Sequence, residues 1–461
     1  MKLKDIHSIY FIGIGGIGMS ALARWFNANN FYVAGYDKTC TPLTLELEAE
    51  GIQVHYEDSI DLIPLKVTSN SIGTLIVYTP AVPKDHTELN YLRSRDFEIL
   101  KRSQVLGELT KNYFTIAVAG THGKTTTSSI IAHILKSSGR NVTAFVGGIM
   151  ANYNSNLLVG KDGDDNVIVV EADEFDRSFL TLHPDIAVIT AADADHLDIY
   201  GSADSLKDSF KDFIKNIKKN GKLFIEERAA DKIDLKSLEG IDYETYGLEN
   251  GQIRTLNLSV IDEIFHFDFQ SGSMLLKSLS MPLPGFHNIE NAVAAISVAG
   301  LLKISAEEIK NALLEYKGVK RRFEYIIKSA GLTFIDDYAH DPEEIRALLK
   351  SARALFPRKK ITVIFQPHLF TRTRDFAEGF CETLSLADEV ILLDIYPARE
   401  LAIEGVSSGM LLKDITSQTK CICTKEELID ILKNRELEIL ITVGAGDIDA
   451  LVQPIKRALE V

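Results

Sequence analysis

Ala119-Gly120-Thr121-His122-Gly123-Lys124-Thr125-Thr126-Thr127 follows the apolar run Phe114-Thr115-Ile116-Ala117-Val118 and precedes Ser128-Ser129-Ile130-Ile131-Ala132-His133-Ile134-Leu135. The run reads as a buried strand and the segment after the loop as a helix. A glycine loop between them, with Gly-Lys-Thr at the junction, is a cradle for a nucleoside triphosphate. Glycines let backbone N–H groups close on phosphate oxygens, and the helix N-terminus adds partial positive charge. In such a cradle Lys124 lies against the β and γ phosphates and Thr125 ligates Mg²⁺. The usual pattern has another glycine where this chain has Val118, so the loop is a shortened variant. A glycine turn capping an ordinary helix is the bland alternative, and it leaves Gly-Lys-Thr unexplained.

At 461 residues the chain exceeds what one core serves, and about two to four domains are expected. A net charge of −15 argues against general nucleic-acid binding, which needs a basic face. It does not oppose a small anionic substrate, which feels only the field of its site. Cys40, Cys381, Cys421 and Cys423 fit neither a zinc site nor a disulfide framework and point to a reducing, cytoplasmic setting. The first residues lack the shape of a signal peptide, and no apolar run is long enough to span a membrane.

Upstream, the strand Ser8–Ile12 leads into Gly13-Ile14-Gly15-Gly16-Ile17-Gly18, an apolar helix, a second strand (31–36) and Asp37. This is the glycine pattern of a dinucleotide-binding unit, but the same loop serves any diphosphate, and close helix–strand packing without ligand also produces it. Another strand, Thr74–Tyr78, runs into Thr79-Pro80. A second α/β unit starts near residue 108, with strands at 114–118, 166–171 and 185–190 and an amphipathic helix at 204–219. A third begins near 320, where strands at 332–336, 361–365, 389–394 and 438–443 alternate with helices.

Strand 166–171 ends in Glu171-Ala172-Asp173-Glu174-Phe175-Asp176. Carboxylates crowded beside a phosphate loop repel one another unless a cation is held, and Glu171, on the strand edge, is the candidate ligand. The next strand ends in Asp193-Ala194-Asp195-His196-Leu197-Asp198, a second candidate metal position. Pro284-Gly285-Phe286-His287-Asn288-Ile289-Glu290-Asn291 leads to a helix expected from Ala292; its asparagines suit an adenine edge, or Asn288 is simply the N-cap. Lys320-Arg321-Arg322-Phe323-Glu324 stands at a domain boundary. Asp336-Asp337-Tyr338-Ala339-His340 ends a strand, and Asp341-Pro342-Glu343-Glu344 reads as a capped helix start. Gln366-Pro367-His368-Leu369-Phe370-Thr371-Arg372-Thr373-Arg374 follows another strand, where an arginine can fork onto a carboxylate.

In this order the segments resemble the Mur ligases, ATP-dependent amide ligases of peptidoglycan synthesis, and Gly444-Ala445-Gly446-Asp447 completes the likeness. The resemblance covers nearly the whole chain. It implies three α/β domains: a Rossmann-like UDP-sugar domain (1–107), a central P-loop-type ATPase with a mainly parallel sheet (108–319), and a Rossmann-like domain closing with the amino acid (320–461). It implies that Gly13, Gly15, Gly16, Gly18 and Asp37 bind the UDP-sugar. Gly120, Thr121, His122, Gly123, Lys124, Thr125 and Thr126, with His287, Asn288, Asn291, Arg322 and Asp337, would bind ATP. Thr125, Glu171 and His196 would hold Mg²⁺ or Mn²⁺, and Lys124, His340 and Arg372 would be catalytic. The implied substrates are UDP-N-acetylmuramate, L-alanine and ATP; a relative that attaches a tripeptide to the same sugar is the alternative. A nucleotide-dependent binding module and a nicotinamide-linked oxidoreductase are readings from other classes. This chain departs from the family at Asp341, where a second histidine is common, and at Leu369, where an arginine is common.

Overall fold

Ser8–Ile12 (β1) is buried along its whole length, as a strand covered on both faces of a parallel sheet must be. In the computed structural model, residues 5–161, 163–174, 177–193, 200, 202–235, 238, 240–398 and 400–460 are described. With β2 (Tyr32–Tyr36), β3 (Gln53–His55), β4 (Thr74–Tyr78) and β5 (Glu98–Lys101), β1 forms a five-stranded parallel sheet ordered β3-β2-β1-β4-β5. The order reverses at β1, so the crevice beyond its C-terminal end falls at the glycine loop 13–18.

The second sheet contains β6 (Phe114–Ala119), β7 (Val142–Met150), β8 (Ser155–Leu158), β9 (Val167–Ala172), β10 (Ile186–Ile189), β11 (Lys222–Glu226), β12 (Asp242–Tyr246), β13 (Ile253–Ile261), β14 (Ile264–Ser271) and β15 (Met274–Met281). Its order is β15-β14-β13-β12-β11-β10-β6-β9-β7-β8. β6 lies between β10 and β9, parallel to both, with Val118 opposite Glu171 and Ala119 opposite Ala172. The phosphate loop therefore leaves the sheet beside the acidic end of β9. The helix expected at 204–219 spans Ala203–Lys215, because Lys218 turns its N–H to the Pro184 carbonyl and leaves the helical ladder.

The third sheet comprises β16 (Glu324–Lys328), β17 (Thr333–Asp337), β18 (Ile361–Phe365), β19 (Glu389–Leu392), β20 (Thr419–Ile422) and β21 (Ile439–Val443), ordered β16-β17-β21-β18-β19-β20. Only β16 runs antiparallel to its neighbour. Asp337 and Phe365 both pair with Val443, so β17, β21 and β18 end level with one another.

The chain divides into two compact units. One is Met1–Asn257, Phe267–Leu279 and Glu290–Tyr316; the other is Leu258–His266, Ser280–Ile289 and Lys317–Val461. In the first, Trp25 and Phe26, behind β1, join a single core with Phe145, Phe179, Phe210 and Phe213 from around the second sheet. In the second, Phe334, Ile364, Ile391 and Leu440 centre the core of the third sheet. Among the described residues no helix is long and apolar enough to cross a membrane.

Candidate functional site

The phosphate loop takes its shape from two glycines in the left-handed region, Gly120 (φ +133°) and Gly123 (φ +79°). A Cβ on Gly120 would stand 2.8 Å from the Ala191 nitrogen, and one on Gly123 would stand 2.6 Å from Oδ1 of Asn291. The helix Lys124–Ser137 begins immediately after the loop. Lys124 folds back: its Nζ donates to the Gly120 carbonyl (2.8 Å) and to both oxygens of Glu174 (2.9 and 2.8 Å). Burial pulls the lysine down, but Glu174, Asp173 and Glu171 outweigh it and hold Lys124 above its usual range. Burial also drives the Glu174 carboxyl up, against the pull of Lys124.

Beside it, the Thr125 hydroxyl donates to Oε1 of Glu171 at 3.0 Å, and the N–H of Gly147 donates to Oε2 at 2.8 Å. A threonine hydroxyl and a carboxylate meeting next to a phosphate cradle are hard oxygen donors of the kind Mg²⁺ selects. Thr121 is tied in as well: its N–H donates to the Ala191 carbonyl, and its hydroxyl accepts from the Asp193 N–H. His196 lies outside the described residues, with Asp195, Asp198 and Asp176. Thr126 is buried, and Asn291 is buried against Gly123.

In the same unit, Gly13 (φ +87°) and Ile14 both donate to the Tyr36 carbonyl, 2.8 and 3.0 Å. The helix Ile17–Ala28 starts after Gly16 with no side-chain cap, leaving its first N–H groups aimed past the loop. Gly18 packs against the Arg102 guanidinium. Asp37 uses its carboxylate on the backbone: Oδ2 accepts from Gly15 N–H (2.7 Å) and Oδ1 from Thr39 N–H (3.1 Å).

The second unit carries the remaining residues. The helix expected from Ala292 starts at Phe286, because Gly285 (φ +112°) turns the chain there and accepts from the N–H groups of Asn288 and Ile289. Asn288 is therefore inside the first turn and does not cap the helix; its amide donates to the Pro284 carbonyl. Burial, aided by Arg322, lowers His287 to about 4, with Glu344 opposing. Asp337 accepts from the N–H groups of Phe323 (2.7 Å) and Ala339 (2.8 Å), and burial raises it to about 6 against the pull of Arg322. Arg322 stacks over Tyr338 and pairs loosely with Glu344 at 3.6 Å, while Arg321 is taken up by Asp336 and the Gly444 carbonyl.

Asp341 caps the helix Pro342–Leu355 by accepting from Glu343 and Glu344 N–H groups. Glu344 reaches back to the His340 N–H (3.0 Å) and to its Nδ1 (3.1 Å). The His340 ring meets His368 edge-on, with centroids 6.2 Å apart, and His368 stacks on Tyr396. Burial lowers His368 to about 4, with His340 and Arg372 adding and Glu400 opposing. Leu369 holds φ at +69°, a cost that side chains pay rarely outside functional loops. Gln366 anchors this edge by donating to Asp447 (2.9 Å) and accepting from Ile448 N–H (3.0 Å).

Residues 8–114 match the Mur ligase family catalytic domain, 118–299 the Mur ligase middle domain and 321–446 the Mur ligase glutamate ligase domain. The chain is 49% identical over 461 residues to a UDP-N-acetylmuramate–L-alanine ligase of Cytophaga hutchinsonii, covering 100% of this chain and 98% of that one. It is 49% identical to the enzyme of that name in Flavobacterium johnsoniae, over 100% and 99% of the two chains. The chain belongs to the Mur ligase family. Among solved Mur ligases, the crystal structure of UDP-N-acetylmuramate-alanine ligase from Thermotoga maritima superposes with a TM-score of 0.83 at 30% identity, over 98% of this chain and 99% of that one. A murein peptide ligase from Psychrobacter arcticus shares the Mur ligase fold, with a TM-score of 0.71 at 22% identity over 98% of both chains.

Sequence reading of this Mur ligase missed Glu174 as the partner of Lys124, Gly147 as a clamp on Glu171, and His368 beside His340. Glu174 and His368 stood inside motifs already singled out. Gly147 left no signal, because its role comes from a break in the β7–β8 pairing between Phe145 and Met150.

Proposed function

We propose that this Mur ligase joins L-alanine to the lactyl carboxylate of UDP-N-acetylmuramate, with ATP driving the step, in peptidoglycan precursor synthesis. Full-length identity of 49% to ligases of that name supports the substrates. The observation that carries the chemistry is the grouping of Lys124, Thr125 and Glu171 at the phosphate loop. We read residues 1–107, 108–319 and 320–461 as the UDP-sugar, ATP and amino-acid domains.

In the first step a lactyl carboxylate oxygen attacks the γ-phosphorus, and the bond to the β-phosphate bridging oxygen breaks, giving an acyl phosphate and ADP. Lys124 exchanges Glu174 for the phosphates, one anionic partner for another. The loop N–H groups and the helix N-terminus then stabilise the transferring charge. Thr125 and Glu171, with His196, would hold Mg²⁺, which neutralises phosphate charge when bound. In the second step the alanine amine attacks the acyl carbon, and the tetrahedral intermediate expels phosphate. Arg372 grips the alanine carboxylate. His368, kept neutral by burial, lies beside Arg372 and meets the ring of His340, which Glu344 holds; His340 is the candidate to take the amine proton. From the family resemblance we also assign ATP binding to His287, Asn288, Asn291, Arg322 and Asp337, and binding of the UDP diphosphate to Gly13, Gly15, Gly16, Gly18 and Asp37. The four cysteines are free thiols, which suits the reducing cytoplasm where we place the enzyme.

The test is phosphate release by purified protein given ATP, UDP-N-acetylmuramate and each amino acid in turn. Release should require all three, with L-alanine the best amino acid. Release indifferent to the sugar nucleotide overturns the reading.

A further inference from the structure

Arg24 lies on the helix that follows the Gly13–Gly18 loop and is only 9% exposed. Its Nε donates to both carboxylate oxygens of Glu50 (2.8 and 2.9 Å), and Nη2 donates to Glu46 (2.9 Å). Those two acids sit on and just after the neighbouring helix Pro42–Ala49. The remaining arm, Nη1, reaches across to Oδ1 of Asn156 on β8, at 2.9 Å. Asn156 is wholly buried, and its NH₂ group donates back to the Ile17 carbonyl and the Ser20 hydroxyl in the first turn of the same helix. The asparagine thus satisfies its acceptor and both donors by bridging the mouth of the diphosphate loop to the central sheet.

The position on β8 matters. β7 and β8 pair at Ala144–Leu158, Phe145–Leu157 and Met150–Ser155, and the pairing breaks between. In that break Gly147 turns its N–H to Glu171, which in turn holds Thr125. The clamp on the first helix is therefore opposite the segment that fixes the phosphate-loop carboxylate.

We infer that Arg24 and Asn156 are positioning residues that hold the Gly13–Gly18 loop in fixed register with the Thr125–Glu171 site, and so align the substrate carboxylate with the γ-phosphorus. This rests on the reading of function above and deepens it. An arginine fork suits the task because its planar donors satisfy two acids and an amide at once, which a lysine ammonium cannot do in the same geometry. The clamp bonds the loop only at the Ile17 carbonyl, and none of its hydrogen bonds falls on Gly13, Gly15, Gly16, Gly18, Asp37, Lys124 or Thr125, the residues read as binding the two ligands. Phosphoryl transfer, however, needs attacking oxygen and phosphorus in line, and misplacement by about 1 Å costs roughly 100-fold.

The experiment measures UDP-N-acetylmuramate and ATP dissociation constants by calorimetry, each alone, and kcat with all substrates, for wild type, Asn156→Ala, Arg24→Ala and Arg24→Lys. The expected result is a fall in kcat of about 10- to 100-fold for the alanine variants, with each Kd within about threefold of wild type. Arg24→Lys should recover only part of kcat, and the double alanine variant should lose no more than the worse single one. If Asn156→Ala does not fold, Arg24→Lys, which keeps the charge beside Glu46 and Glu50, carries the same test. Unchanged kcat in a folded variant, or a loss matched by weakened binding of either ligand, overturns the positioning role. Wild-type protein that binds neither ligand overturns the functional reading instead.

Discussion

Lys124 and Arg372 are the two cations to which we assign the phosphates and the alanine carboxylate, and their surroundings differ. Lys124 is 13% exposed, clasped by Glu174 and the Gly120 carbonyl, with Asp173 at 3.9 Å. Arg372 is half-buried beside His368 and, among the described residues, its guanidinium makes no ion pair. The phosphate loop keeps an internal anion where a phosphate is to come. The edge we assign to the amino acid leaves Arg372 without an ion pair among the described residues and keeps the adjoining His368 neutral. A site for a highly charged ligand can displace an internal counterion; a site for one carboxylate gains more from a cation already free.

The largest expected effect is at Lys124. Lys124→Ala should lower turnover by on the order of 100-fold or more in a phosphate-release assay. It also removes the lysine that pulls against burial at Glu174, whose carboxyl is already raised. A raised carboxyl favours the fold below its unfolded pKa and loses that contribution as pH rises through the folded value. The melting-temperature deficit of Lys124→Ala should therefore grow from pH 5 to pH 8; a deficit that shrinks over that range breaks the internal-anion account.

At the other cation, Arg372→Ala should raise the KM for L-alanine roughly 10- to 100-fold, the worth of a charge-assisted pair. The KM for ATP should barely move, and equal changes in both would remove the contrast between the two sites. For metal, His196→Ala should raise the Mg²⁺ concentration giving half-maximal activity by about 10-fold or more. An unchanged requirement makes His196 structural.

Smaller effects sharpen the picture in the second unit. His287 and His368, both lowered to about 4, contribute stability above their unfolded value of about 6.5 and lose it as pH falls through 4. Melting temperature should decline across that window, and His287→Gln should flatten the decline. Leu369→Arg should change the KM for alanine by less than about threefold or lower it, since arginine pays the same positive-φ cost as leucine. A large rise in that KM would mean the leucine itself lines the pocket.

Much of this was legible because the fold places strand ends side by side. Knowing that β6 and β9 are neighbours in a parallel sheet puts Glu171 next to Thr125, and each strand was visible as an apolar run. Asp341 was readable as a cap because capping is local. Other residues had uses the sequence does not reveal. Asp37 and Asp337 bind backbone N–H groups, and whether a carboxylate turns inward depends on loops whose path no periodicity encodes. The start of the helix at Phe286 was hidden because His287-Asn288-Ile289-Glu290 lacks an apolar stripe, while Gly285 made the turn. The strands β13 to β15 were written in alternation, but the Asp262–Glu263 turn, both residues at positive φ, lacks the glycine that normally announces a two-residue hairpin.

The most direct measurement is a competition. Purified protein receives ATP, Mg²⁺ and UDP-N-acetylmuramate with equimolar L-alanine and the tripeptide of the alternative reading, and the sugar-nucleotide product is weighed by mass spectrometry. The account predicts a product carrying a single alanine, formed with one phosphate released per amide, and its loss in Arg372→Ala. A product carrying the tripeptide, or no amide product in the presence of every substrate, contradicts it.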